Sequence, residues 1–189
     1  MLRALLIPIL AACLALAACG GDDDDGDGGS DNTVSAEAYA TDVCVSTQEW
    51  VSDLGTRASD LTKSLGTNVS AEEGRDALSG FMEKVIADTD DWVRDVTDAG
   101  APDVDGGEQA AEDFRTAAKD AKRVLEDTKA SVDDLPTDDE EAFSREATKV
   151  GDATRESLGK VGDAMSARDS AALRRAFTDV PSCKKLAAG

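Results

Sequence analysis

The side chains able to do chemistry in this chain are thiols, hydroxyls, amines and many carboxylates. Cysteine stands at 13, 19, 44 and 183, and 40 acidic residues face 20 basic ones with no histidine at all. Losing imidazole removes the commonest general acid/base and the commonest metal ligand. A Ser-His-Asp relay cannot be assembled. A carboxylate-bridged metal pair inside a helical bundle needs Glu-x-x-His motifs on facing helices, and a zinc site loses its usual nitrogen donor. A Ser–Lys dyad is compatible with the composition, but no motif marks one. No Gly-rich phosphate loop lies between a strand and a helix. The sequence therefore calls for no cofactor, no metal and no catalytic residues.

The remaining chemical groups fall into clusters. Asp88-Thr89-Asp90-Asp91 and Asp138-Asp139-Glu140-Glu141 read as solvated faces or helix-start charges, the second favoured by the helix dipole. Arg174-Arg175 and Lys184-Lys185 gather positive charge near the C-terminus, where a helix end favours it; a basic docking patch is the functional alternative. Trp50 and Trp92 could stack on a sugar, but both fall on apolar stripes, which points to core packing.

The thiols are placed by the first 18 residues. Arg3 gives a positive start, Ala4 to Ala15 an apolar run, and Ala17 and Ala18 a small-residue exit, the three-part plan of a secretory signal. A spanning helix needs roughly 20 apolar residues; this run stops short at Cys19, Gly20-Gly21 and a block of aspartates. Leu16-Ala17-Ala18-Cys19 resembles a bacterial lipobox, which implies cleavage before Cys19 and a thioether-linked diacylglycerol on it, with or without an added N-acyl chain. Two or more chains exceed the marginal affinity of one, so the anchor to the membrane should be stable. Leu10-Ala11-Ala12-Cys13 reads the same way, but cutting there would shrink the apolar run below the usual minimum of roughly seven. Cleavage without lipidation is the plainer alternative.

Removing Arg3 with residues 1–18 makes the mature chain one unit more acidic than the full-length −20. Such a surface repels nucleic acid and suits a body held off the membrane. Residues 19–34 form the lipidated cysteine and an Asp/Gly-rich tether, GGDDDDGDGGSDN, with no apolar side chain to bury in it. The tether should be disordered and span roughly 20 Å. Asp23, Asp25, Asp27 and Gly28 begin a calcium-loop pattern, but its twelfth position is Val34 rather than Glu and no helix precedes it. A solvated spacer is expected.

With Cys13 cleaved off and Cys19 acylated, Cys44 and Cys183 remain as one pair in an oxidising compartment.

Residues 35–189 carry four helical patterns. The first runs from Ser35, a cap, to Leu65, and Gly66 and Asn68 end it. The second, 71–98, opens on a Ser70/Glu73 capping box and stops at Gly100 and Pro102. The third spans 108–134 and the fourth starts after a Thr137/Glu140 box. Asp169 or Ser170 recaps a continuation of the fourth to Val180, closed by Pro181, with a kink near Arg168 left open. Helices near 28 residues are about 40 Å long. Short links favour antiparallel neighbours, hence an all-α, up-down-up-down four-helix bundle. That topology brings Cys44 and Cys183 to one end. Gly55, Gly74, Gly80, Gly151, Gly159 and Gly162 either weaken the helices, by up to about 1 kcal/mol each, or let helices approach closely.

The lipobox, the Asp/Gly tether, Val43-Cys44 early in the first helix and Ala176-Phe177 through Pro181-Ser182-Cys183 together resemble the small uncharacterised lipoproteins of actinobacteria, the high-GC Gram-positive bacteria. The resemblance implies a lipid-anchored protein on the extracytoplasmic face of the cell membrane. It carries no shared activity. The expectation is a non-catalytic binding or accessory module for an envelope protein partner. A His-independent envelope hydrolase and a passive acidic spacer are the alternatives.

Overall fold

The computed structural model describes residues 33–65, 69–166 and 170–188, the side chains of 161–166 and 187–188 excepted. Leu16, Ala17, Ala18 and Cys19, the tether to Asn32, Gly66, Asn68 and the bend near Arg168 lie outside the described residues. Thr33–Val34 (β1), just before the first helical cap, pairs in parallel with Ala101–Pro102 (β2). The Ser35 hydroxyl accepts from the Ala38 amide at 3.1 Å and opens α1, Ala36–Ser64. Val34 before the cap and Tyr39 one turn inside share an apolar cluster, the arrangement of a hydrophobic staple.

The remaining helices are α2 (Ala71–Asp98), α3 (Gly107–Asp133), α4 (Glu140–Ser166), α5 (Ala171–Asp179) and α6 (Pro181–Ala188). Ser70 and Glu73 form the capping box read from the sequence, each satisfying the other's amide. Gly100 follows α2 at φ 76°, the left-handed conformation that a glycine adopts without a Cβ clash.

Two boundaries differ from the sequence reading. The cap of α4 is Asp139, not Thr137: its Oδ1 accepts from the amides of Glu141 at 2.8 Å and Ala142 at 2.9 Å. A carboxylate is the stronger acceptor of the two candidates, and it holds two amides at once. Pro181 does not end the helical part. It opens α6, where its missing N–H is one the first turn would leave unpaired anyway. Val180 before it is extended, at φ −62° and ψ 129°, as proline demands of its predecessor. The fourth pattern corresponds to α4 and α5, with α6 beyond its expected end, and Ser170 caps α5, accepting from Leu173 N at 3.4 Å.

The packing follows the stripes. Trp50 meets Thr89 and Arg57 meets Asp88 across α1–α2; Ser79 meets Asp133 and Lys122 meets Asp90 across α2–α3. Along α2–α3 the numbers rise on one helix as they fall on the other, as in antiparallel neighbours. Helix α4 packs on α3 and touches α2, whereas α5 and α6 pack on α1. One apolar cluster joins the start of α1 to α5 and α6 through Tyr39, Val43, Leu173 and Phe177. A second, around Trp92, Val96, Ala118 and Ala121, fills the middle. The third unites Met82, Val85, Leu125 and Val132 with the half-buried Phe143, Ala147, Val150 and Leu158 of α4. The fold is all-helical apart from the two short paired strands. No helix among the described residues is long and apolar enough to cross a membrane.

Candidate functional site

Cys44 on α1 and Cys183 on α6 are joined, with an S–S distance of 2.04 Å and Cα atoms 5.0 Å apart, across a separation of 139 residues. Both are buried. The pairing reached by subtraction is the one present. Its partner element differs, since Cys183 lies inside a helix of its own rather than past the end of a fourth one.

The two tryptophans meet at the middle of the α1–α2 interface. Their rings stack at 4.4 Å between centroids and 11° between planes. Trp50 Nε1 donates to Thr89 Oγ1 at 2.9 Å, and Trp92 Nε1 donates to Thr47 Oγ1 at 3.1 Å. Each threonine gives its own proton to a carbonyl one turn back, Val43 O for Thr47 and Val85 O for Thr89. Every polar atom of this clasp thus has a partner, which is what allows Thr89 to be wholly buried. The same spacing, Thr-x-x-Trp, occurs on both helices and could have disclosed the clasp in advance. Trp92 is 2% exposed and also meets the edge of Phe114, so the pair is core and offers no open platform to a sugar.

The acidic cluster at 88–91 is not merely a solvated face. Asp88 takes a two-point ion pair from Arg57 at 2.9 and 3.1 Å, Asp90 holds Lys122 at 2.6 Å, and Asp91 holds Arg94 at 2.6 Å. The hydrogen bond to Asp90 is the main reason the Lys122 ammonium is held above its ordinary range. Asp139 is held below the usual carboxylate range by the amides of Ala142 and Glu141. Among the described residues no three thiols or carboxylates converge to hold a metal ion.

A shallow trough of about 350 Å³ lies between α3 and α4. Val124 and Val150 give it apolar walls, Asp127 and Lys149 stand at its rim, and Thr128 and Thr154 meet in it. Their hydroxyls are 2.8 Å apart, and each also lies within hydrogen-bond distance of a carbonyl one turn back, Val124 O at 2.7 Å and Val150 O at 2.8 Å. Two protons serve three short contacts, so the pair keeps lone pairs for a donor on a ligand. Ser131 and Ser157 also line the trough, but Lys149 Nζ binds Glu146 at 2.8 and 3.1 Å and neither serine. Nothing there activates a hydroxyl as a nucleophile. Helical spacing aligns Thr128 and Thr154 with apolar neighbours on their own helices but cannot pair them, because register between helices is a tertiary property.

Of Arg174, Arg175, Lys184 and Lys185, only Lys185 stands in the last turn of a helix, as the sequence reading expected of the group. Arg174 and Arg175 lie inside α5, and Lys184 and Lys185 inside α6, all four exposed. No protein-family model, curated protein or solved structure matches the chain.

Proposed function

We propose that this chain is a lipid-anchored, extracytoplasmic binding or accessory module of the cell envelope, without catalysis of its own. The anchor is the diacylglyceryl group that a lipobox at Leu16-Ala17-Ala18-Cys19 implies, and residues 20–32 are its leash. The four long helices form an up-down-up-down bundle in this reading, supported by the cross-helix pairs on α1–α2 and α2–α3. The observation that carries the binding role is α4. Its described stretch 140–160 has no fully buried residue, although Phe143, Ala147, Val150 and Leu158 are apolar and half-covered. A helix with that stripe gains by burying more of it against a partner. The trough beside it, with its threonine pair, sets this reading apart from a passive spacer.

Crosslinking on intact cells, followed by mass spectrometry, tests the module. A reproducible envelope protein joined to α3 or α4 is the expected result. Replacing Ala153, exposed at the trough, by Arg should abolish that neighbour while leaving the melting temperature unchanged. Recovery of no reproducible neighbour, or of one indifferent to Ala153→Arg, would remove the binding face. The anchor is tested separately: the N-terminal peptide should carry Cys19 with its acyl chains, and Cys19→Ser should release the protein from the membrane fraction.

A further inference from the structure

The exposed cations of α5 and α6 lie where the tether joins the body. Val34, the residue next to the cap of α1, packs on the same apolar cluster as Leu173, Phe177 and Cys183. Both short helices pack on α1 and turn their buried residues toward it. Arg174, Arg175, Lys184 and Lys185, all exposed, are therefore presented away from α1 beside the root of the leash. Residues 171–188 hold these four cations and a single carboxylate, Asp179, in a chain with twice as many acids as bases. The contrast with the rest of the body is one of use as well as number. The cations of α1 to α4 are mostly paired with carboxylates on their own or the next helix, as at Arg57, Lys122 and Lys129. Among the described residues, Arg175, Lys184 and Lys185 have no such pair.

We propose that this basic face docks on anionic phospholipid headgroups and sets the orientation of the tethered body on the membrane. The proposal rests on the lipid-anchor reading. The match is one of charge: an anionic surface repels the acidic flanks of α1 to α4 and attracts only the α5–α6 side. Surface attraction dies away within about 8 Å at physiological salt, so a free protein of this net charge would stay in solution. A leash of roughly 20 Å keeps the face within reach and raises its effective concentration enough for weak contacts to count. Orientation in turn points the α3–α4 trough away from the lipid and toward a partner.

The experiment replaces the native lipid, so that failure of the anchor and failure of the face are read separately. Residues 20–189, which hold all six helices and the disulfide, carry an N-terminal hexahistidine and are tethered to vesicles through a nickel-chelating lipid. The vesicles are phosphatidylcholine alone or phosphatidylcholine with one third phosphatidylglycerol. Lysine acetylation is followed by mass spectrometry. At low salt, Lys184 and Lys185 should react at least about threefold more slowly on the anionic vesicles, while Lys63 at the other end of α1 keeps its rate. Salt at 0.5 M on the order of magnitude that collapses surface potentials should remove the difference, and Arg174→Gln with Arg175→Gln should shrink it. Equal rates on both vesicles overturn the proposal. So does slowing of Lys63 together with Lys184, which would mean unoriented adsorption. Protection by soluble polyglutamate but not by anionic vesicles would assign the face to an acidic protein and overturn the lipid.

Discussion

The end of the body where α1 begins and the end where α4 begins are held by different means. At the start of α1, Tyr39, Ala40 and Val43 are at most 2% exposed, and the Cys44–Cys183 bridge fastens α6 across them. At the far end, α4 leans on α3 and α2, and its described side chains, 140–160, all remain partly open to water. The first region holds twelve buried residues in one cluster and is covalently closed. The second is longer but fastened on one side only. In a chain poor in aromatic residues, with alanine at many stripe positions, packing alone does not hold every helix equally. The covalent link is placed where the segments are shortest: α5 and α6 have 9 and 8 residues, too few to be stable without it.

The contrast fails or sharpens under specific changes. Cutting the bridge with Cys44→Ala and Cys183→Ala should be the most costly, up to about 5 kcal/mol from loop entropy. Hydrogen exchange should then accelerate in α5, α6 and the start of α1, with α4 little changed; equal loss at both ends would break the comparison. Trp92→Ala, at the junction of the two regions, should cost about 3–5 kcal/mol. It should also abolish the near-ultraviolet circular dichroism of the stacked pair. Phe143→Ala should cost only about 1–2 kcal/mol, because its ring is half-exposed, and the exchange protection it removes should be confined to α4.

Glycine substitutions separate the two causes the sequence left open. A Cβ at Gly74 would lie 3.0 Å from Phe143 Cζ, so Gly74→Ala should loosen α4. At Gly55, Gly80, Gly151 and Gly159 it would meet nothing within 4 Å. Gly151→Ala and Gly159→Ala should therefore each raise stability by up to about 1 kcal/mol, seen in thermal melts.

Acid gives the mildest and most local effect. Glu73, Asp133, Asp139, Glu146 and Glu156 are all held below their ordinary range, by the Ser70 amide, by Lys129 and Ser79, by the Ala142 and Glu141 amides, by Lys149 and by Lys160 respectively. A carboxylate whose folded value is lowered contributes stability above its unfolded value, about 4, and loses it as pH falls through the lowered one. Three of these residues lie on α4 or at its cap, and the other two at the start of α2 and the end of α3. Lowering the pH from about 5 to 3 should therefore fray α4 before the bridged end, read as loss of α4 exchange protection ahead of α6. Relief of acidic self-repulsion toward the isoelectric point near 4.2 should act evenly on both ends and delay the onset.

Much of this was legible in the residues. Apolar spacing and the caps at Ser35 and Ser70 gave α1, α2 and α3 to within a residue or so, because a helix start is a local hydrogen-bonding problem. Cysteine counting anticipated the bridge, on the expectation that Cys13 is cleaved off and Cys19 acylated. What the residues did not give was the choice between local solutions of similar energy: Asp139 over Thr137, and Pro181 as a beginning rather than an end. Nor did they give the clasp of Trp50 and Trp92, the Thr128–Thr154 pair, or the seating of α5 and α6 on α1. Those depend on which faces of separate helices meet and in what register. Only burial summed over the whole body decides that.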